Sequence, residues 1–171
     1  MANGMVLIPS WCRVYMSLRT SYQKGVNDVD LVNELKKIVQ DSKRVTNQSS
    51  MIEQHSHDLT YHKPSPPDVI VFPKAKKEVQ DVVLFANRHR IPIVPFGVGS
   101  SLEGHIIPLR GGISLDMSQM NEIVEIRPQD FTVTVQPGVT REQLNKKLKP
   151  YGLFFPVDPG ANASIGGMAA T

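Results

Sequence analysis

A strand–helix–strand pattern of about thirty residues constrains the fold of this chain more than any other feature. It begins with the short β-branched run VIVF (69–72), continues through the helical pattern KAKKEVQDVVLFANRHR (74–90) and ends with the apolar run IPIVPF (91–96). The pattern predicts a βαβ unit with two parallel strands and a right-handed crossover. Pro92 and Pro95 predict that the second strand is an edge strand or ends early. The predicted apolar face of the helix consists of Val79, Val82, Val83 and Ala86.

Three further segments have strand character. ISLDM (113–117) predicts a third strand, and NEIVEI (121–126) and FTVTVQ (131–136) predict two β segments joined across RPQD. The last segment alternates, which predicts one face formed by Phe131, Val133 and Val135.

Two other helices are predicted outside the βαβ unit. Residues 28–40 place apolar side chains at helical spacing, with Asp28 or Asp30 as the N-cap. Thr140 with Gln143 three residues later forms a capping-box pattern before REQLNKKLKPYG.

Composition divides the chain into three parts. Residues 1–27 contain three basic residues and no acidic residue, which is the composition of a mitochondrial presequence; the alternative is an ordinary N-terminal extension of a cytoplasmic protein. Residues 28–66 predict a helix followed by a polar connector with one short turn, and residues 67–171 predict the main domain.

Charge and hydropathy exclude several classes of protein. From Asp28 onward the chain carries 16 basic and 16 acidic residues, so a nucleic-acid-binding surface is not expected. No run of about 18 apolar residues predicts a transmembrane helix. The single Cys12 excludes an internal disulfide framework.

The segment PFGVGSSLEGH (95–105) follows the second predicted strand and is rich in glycine and serine. Gly97, Gly99 and Gly104 can adopt positive φ, and Ser100 and Ser101 supply hydroxyl groups, so the loop can turn backbone N–H groups toward an anion such as a diphosphate. A simple glycine-rich turn is the alternative. Leu102 stands where the dinucleotide fingerprint G-x-G-x-x-G requires glycine, and no Gly-Lys-Ser/Thr sequence is present, so neither familiar phosphate loop applies.

A second glycine-rich segment, DPGANASIGGMAAT (158–171), combines three glycines with small alanines. Such a segment leaves room for a flat or extended ligand against the main chain, although a tightly packed turn has the same composition. Two loops of this kind in one domain favour one large nucleotide ligand held between them.

These motifs occur in the order found in one flavoprotein family. PDVIVFPKAKKEVQDVVLFANRHRIPIVPFGVGSSLEGH, RGGISLDMSQMNEIVEI, FTVTVQPGVTREQLN and GLFFPVDPGANASIGGMAAT together resemble the FAD-linked 2-hydroxyacid dehydrogenases of the D-lactate dehydrogenase type. The resemblance covers about residues 67–171. It implies an α+β fold, the vanillyl-alcohol oxidase (PCMH) type of FAD-binding domain, incomplete at its C-terminal end, in which two subdomains clasp FAD.

The resemblance also implies which residues contact FAD. The first loop would bind the pyrophosphate, and the second would pack beside the flavin and the pyrophosphate. The implied cofactor-binding residues are Pro95, Gly97, Val98, Gly99, Ser100, Ser101 and Gly104 in the first loop and Pro159, Gly160, Ala163, Ser164, Gly166, Gly167 and Thr171 in the second.

Histidines raise two further questions. Some members of the superfamily attach FAD covalently to a histidine in the pyrophosphate loop, but alignment on the two glycines places Ser100, not His105, at that position, so non-covalent FAD is expected. The cluster His55, His57 and His62 lacks an accompanying carboxylate motif of known spacing, so no metal site is expected.

The resemblance implies oxidation of a D-2-hydroxy acid, D-lactate in the first instance, by hydride transfer to FAD, with an electron acceptor as a further partner. No residue of the chain is assigned as the catalytic base. Two alternatives remain: a truncated, catalytically inactive FAD-domain protein, and a related family member such as a D-2-hydroxyglutarate dehydrogenase or a glycolate oxidase subunit.

Overall fold

The computed structural model describes residues 30–170, and its main sheet has four strands. β1 (Val45–Thr46) pairs antiparallel with β2 (Val69–Val71), β2 pairs parallel with β4 (Ile113–Asp116), and β4 pairs parallel with β3 (Ile93–Phe96). The strand order is therefore β1-β2-β4-β3. The predicted βαβ unit is confirmed in its strands and helix, and β3, which contains Pro95, is at the sheet edge as predicted.

Three helices precede or follow these strands: α1 (Leu31–Ile38), α2 (Ser49–Gln54) and α3 (Lys76–His89). Asp30 is the N-cap of α1, where its carboxylate accepts a hydrogen bond from the Asn33 backbone N–H. α1, α3 and the sheet share one core. Its buried members are Leu31, Leu35, Val39, Val45, Val69, Val71, Val82, Ala86, Ile91, Ile113 and Leu115.

A second, smaller unit follows the sheet. β5 (Ile123–Arg127) and β6 (Thr132–Val135) form an antiparallel pair, and α4 (Arg141–Leu148) follows them in the chain. A short helix, α5 (Ile165–Ala170), ends the described chain. The core of this unit is formed by Val139, Leu144 and Leu148, with half-buried apolar side chains of β5 and β6 packed around them.

The polar segment 41–67 is not the simple connector that was predicted. It contains a 3₁₀ turn (Ser42–Arg44), strand β1 and helix α2. Polar composition hid these elements because β1 is only two residues long, below the length at which alternation becomes visible. The segment is built into the same sheet as residues 69–116.

A buried ion pair joins this segment to α3. The Arg44 guanidinium donates to both carboxylate oxygens of Glu78, at 2.7 and 2.6 Å, and to the Phe72 carbonyl at 3.1 Å. The hydrogen bonds from Arg44 lower the pKa of Glu78 to about 2. Arg44 therefore ties the turn before β1 to the first turn of α3.

Three details of the sequence prediction were wrong. Val83 is 45% exposed and lies off the buried face of α3. Phe131 is 80% exposed because it ends a 3₁₀ turn with φ of 52°, so it does not share a face with Val133 and Val135. Thr140 does cap α4 by accepting from the Gln143 N–H, but the Gln143 amide donates to the Asn121 carbonyl at 2.8 Å, away from the predicted capping box.

The predictions for residues 1–27, Asp28 and Thr171 lie outside the described residues. Within residues 30–170, none of the helices has the length and apolar character needed to cross a membrane.

Candidate functional site

The first glycine-rich loop lies at the carboxyl edge of the parallel strands. The strands β2, β4 and β3 run in the same direction, so their carboxyl ends lie at one edge of the sheet. The residues that follow β2, β3 and β4 at this edge are Phe72, Gly97 and Met117. Ligands of open α/β sheets bind at this edge. The position of the loop therefore agrees with a role in binding.

The glycines of this loop serve two different purposes. Gly99 and Gly104 both have φ of +72°, as predicted. Gly97 does not have positive φ; its lack of a side chain matters because a Cβ there would lie 2.6 Å from the Ser164 hydroxyl oxygen. The prediction of positive φ at Gly97 was wrong, and close approach explains the glycine instead.

The backbone donors of the loop are available to a ligand. Within residues 30–170, the N–H groups of Val98, Gly99, Ser100 and Ser101 donate to no backbone or side-chain acceptor. Val98 is exposed and the next three residues are half-buried, so these N–H groups can donate to a ligand that supplies acceptors. The diphosphate of a dinucleotide supplies several.

The second glycine-rich loop contacts the first where Ser164 lies against Gly97. Ser164 is 3% exposed and forms an antiparallel bridge with Thr140, while its hydroxyl lies against Gly97. Gly166 donates its N–H to the Pro137 carbonyl at 2.8 Å, and a Cβ at Gly166 would collide with that carbonyl. The fold thus brings together two segments that are more than sixty residues apart in the sequence.

The remaining residues of the second loop are held less closely. Gly160 has φ of +77°, and its N–H donates to the Asp158 carboxylate at 3.1 Å. Asp158 also accepts from Arg141 at 3.1 Å. Ala163 is buried, whereas Pro159, Gly160 and Gly167 are exposed.

A cleft of about 480 Å³ opens beside the first loop, and sequence reasoning missed the residues beneath it. Its lining includes Val98 and Gly99 from the loop and the side chains of His55, Phe96 and Asp116. His55 is 3% exposed, and its Nε2 lies 2.9 Å from Asp116 Oδ2. His55 was considered only as part of a metal cluster, and no sequence signal connects it with an aspartate sixty-one residues later.

The three clustered histidines have different surroundings. His55 faces Asp116, His57 lies 3.3 Å from the Ser56 hydroxyl, and the ring of His62 stacks on Tyr61 and lies against Gly104. Among residues 30–170 no group of three His, Cys, Asp or Glu side chains could hold a metal ion.

Asp58, which lines the cleft, and His105, in the first loop, each make a polar contact. Asp58 accepts hydrogen bonds from the Thr60 hydroxyl and N–H, and these bonds lower the pKa of Asp58. His105 is exposed, with its Nδ1 3.3 Å from the Ser101 hydroxyl.

Comparison with known proteins identifies the class of this fold and site. The profile of the family described as FAD binding domain matches residues 67–171, and the chain belongs to that family. The predicted family resemblance and the predicted cofactor, FAD, are confirmed.

Individual relatives carry the names of particular enzymes. The chain is 48% identical over 123 residues to a protein named probable D-lactate dehydrogenase, mitochondrial, from Danio rerio, covering 72% of this chain and 25% of that protein. It is 40% identical over 143 residues to the mitochondrial D-lactate dehydrogenase [cytochrome] of Arabidopsis thaliana, covering 83% and 25%. It is 34% identical over 148 residues to a D-2-hydroxyglutarate dehydrogenase of Stutzerimonas stutzeri, covering 85% and 32%. The chain spans about a quarter to a third of the length of these relatives.

Solved structures confirm the predicted fold class. Alkyldihydroxyacetonephosphate synthase superimposes with a TM-score of 0.75 at 27% identity, over 82% of this chain and 28% of that protein. p-Cresol methylhydroxylase superimposes with a TM-score of 0.64 at 25% identity, over 78% and 25%. The fold is the PCMH type of FAD-binding domain.

Proposed function

We propose that this chain carries the diphosphate-binding part of an FAD-dependent oxidoreductase that oxidises a D-2-hydroxy acid, D-lactate in the first instance, to the 2-oxo acid. One observation carries the proposal: four consecutive unpaired N–H donors lie at the carboxyl edge of the sheet, where the two glycine-rich loops touch. Family membership supplies the identity of the ligand.

The first loop supplies the anion-binding groups in this proposal. The N–H groups of Val98, Gly99, Ser100 and Ser101 donate to the FAD diphosphate, and the glycines keep side chains out of its path. Pro95 and Gly104 lie at the two ends of the loop. Hydrogen bonds from backbone amides to an ionised phosphate are stronger than those between neutral groups.

The second loop forms the opposite wall. Ser164 anchors it against Gly97, and Gly166 packs directly on Pro137, so the small residues around them present main chain to the cofactor. The members assigned to this wall are Pro159, Gly160, Ala163, Ser164, Gly166, Gly167 and Thr171.

FAD, when bound, accepts the hydride from the carbon that bears the substrate hydroxyl. The residues of this chain bind and orient the cofactor, and we assign none of them as the base that takes the hydroxyl proton. Binding is non-covalent, because Ser100, not His105, occupies the attachment position of the covalent relatives. Acid precipitation of the yellow holoprotein should leave a colourless pellet; a yellow pellet would contradict this assignment.

Titration with FAD tests the binding role, using two glycines with the same backbone strain. Gly99 and Gly152 have φ of +72° and +68°, but only Gly99 lies in the loop, and nothing surrounds Gly152 within 4 Å. We expect Gly99→Ala to weaken FAD binding at least tenfold and Gly152→Ala to leave it unchanged, measured by quenching of flavin fluorescence. Equal affinities in the two variants would contradict the assignment of the loop.

Turnover by the complete protein tests the substrate. D-lactate should be oxidised faster than D-2-hydroxyglutarate or glycolate, and L-lactate should be inert. A preference for D-2-hydroxyglutarate would favour the enzyme class of the Stutzerimonas stutzeri relative. Absence of turnover with retained FAD binding would favour a catalytically inactive FAD-domain protein.

We also propose a mitochondrial location, which rests on the basic, acid-free residues 1–27 and on the mitochondrial names of the Danio rerio and Arabidopsis thaliana relatives. Replacement of Arg13, Arg19 and Lys24 by glutamine should abolish import into isolated mitochondria. Equal import of the replaced and original proteins would contradict it.

A further inference from the structure

A buried histidine from outside the matched family region lies beneath the diphosphate loop. His55 directly follows α2 and is 3% exposed, whereas the family profile begins only at residue 67. It lies at the floor of the cleft that Val98 and Gly99 line. The protein thus places an ionisable side chain from its N-terminal segment under the proposed cofactor site.

Hydrogen-bond partners define the protons that His55 carries. Its Nδ1 lies 2.9 Å from the Met51 carbonyl oxygen, which can only accept, so Nδ1 carries a hydrogen. Its Nε2 lies 2.9 Å from a carboxylate oxygen of Asp116, which also only accepts when ionised. One hydrogen between Nε2 and the Asp116 carboxylate therefore completes the hydrogen bonding of both side chains.

The His55–Asp116 pair contacts two further residues that line the cleft, Ser118 and Phe96. The other oxygen of Asp116 accepts from the Ser118 N–H at 2.8 Å, which fixes Ser118 in the cleft wall. The His55 ring packs on the Phe96 ring with centroids 4.1 Å apart. The tip of the Phe96 ring lies against Gly99, where a Cβ would be 2.8 Å from the Phe96 Cζ.

A continuous series of contacts therefore runs from Asp116 through His55 and Phe96 to Gly99. Phe96 is the last residue of β3, so its ring occupies the space between the buried histidine and the turn of the loop. The tip of the ring lies directly against the backbone of Gly99.

We propose that His55 is a positioning residue for FAD binding: paired with Asp116, it supports Phe96 and thereby holds the diphosphate loop in its binding conformation. This inference rests on the proposed function of the loop. It adds that residues before the family region contribute to cofactor affinity.

Variants at His55, Phe96 and Val82 test whether His55 acts on the loop through Phe96. His55→Gln keeps a donor toward Asp116 but removes the ring under Phe96, and Phe96→Leu keeps apolar volume but removes the ring under Gly99. Each should weaken binding of FAD, and of ADP as a probe of the diphosphate, about tenfold, the effect of losing one hydrogen bond to a charged group. Val82→Ala, in the α3 core away from the loop, should lower the urea midpoint without changing either affinity.

Asp116→Asn provides the conservative rescue. The asparagine amide can donate to a neutral His55 while its oxygen still accepts from Ser118, so every hydrogen bond of the pair is retained. FAD affinity near neutral pH should stay within about threefold of the original.

The outcomes separate the inference from the proposed function. A loss of FAD affinity in Asp116→Asn as large as the loss in His55→Gln would overturn the role of the hydrogen-bonded pair. Full affinity in both His55→Gln and Phe96→Leu would overturn the positioning role, as would an equal loss in Val82→Ala. If His55→Gln does not fold, the FAD and ADP affinities of Phe96→Leu test the positioning role on their own. Failure of the original protein to bind FAD or ADP would instead refute the proposed function.

Discussion

Replacing Glu78 by glutamine should destabilise the protein strongly at neutral pH and hardly at all in acid. The Glu78 side chain is 13% exposed, accepts two hydrogen bonds from Arg44 and a third from the Lys74 N–H, and has its pKa lowered from 4.5 to about 2. Each pKa unit corresponds to about 1.4 kcal/mol, so ionised Glu78 contributes about 3 kcal/mol. Glutamine retains one acceptor and leaves the Arg44 charge buried without its partner, which costs a similar amount.

The pH dependence follows from the direction of the shift. A carboxyl group with a lowered folded-state pKa stabilises the protein fully above its unfolded value, here 4.5, and this stabilisation is lost as pH falls toward about 2. The difference in free energy of unfolding between the original protein and Glu78→Gln should therefore be about 3 kcal/mol at pH 7. It should shrink steadily below pH 4.5.

Urea denaturation followed by circular dichroism at several pH values measures this difference. The exposed pair Lys77–Asp81 on the same helix provides the control, because Asp81→Asn should cost only about 0.5 kcal/mol at pH 7. A Glu78→Gln effect below about 1 kcal/mol at pH 7 would refute the reasoning, as would an effect that is independent of pH between 7 and about 2.5.

Three further predictions concern the frame of the site. Gly112→Ala should cost about 3 kcal/mol or more in urea denaturation, because φ is +86° and the new Cβ would collide with the Pro92 carbonyl; a cost below about 1 kcal/mol would contradict this. Thr140→Ala should cost about 1 kcal/mol through loss of the α4 N-cap, with Thr140→Ser as a control that retains the hydroxyl acceptor. Gly97→Ala should weaken FAD binding, because its Cβ would displace Ser164; Ser164→Ala in the same chain should restore affinity, and failure of this rescue would show that the two loops act independently.

Several elements could be predicted because their signals are local. The period of α3, the β-branched run of β2, the short strand pattern of β4 and the alternation of β6 each depend on neighbouring residues, so all four elements were found in place. Pro95 predicted an edge position for β3, since a residue without an N–H interrupts the ladder. The two glycine-rich loops were also recognised from composition alone.

Other features depend on partners that are remote in the chain. Strand β1 exists because Val45 and Thr46 pair with Val71 and Ile70, and two residues carry no strand pattern of their own. The exposure of Val83 and Phe131 depends on what packs against them, which helical spacing and alternation do not specify.

The sequence by itself indicated the class of the domain through the order of its motifs, and it marked the two glycine-rich loops because positive φ, as at Gly99, Gly104 and Gly160, favours glycine. Only the tertiary structure decided that Gly97 must be bare because Ser164 lies against it, and that His55 pairs with Asp116 beneath Phe96. Contacts between segments tens of residues apart leave no periodic trace in either segment. They arise when parallel strands end at one edge of a sheet and bring those segments together.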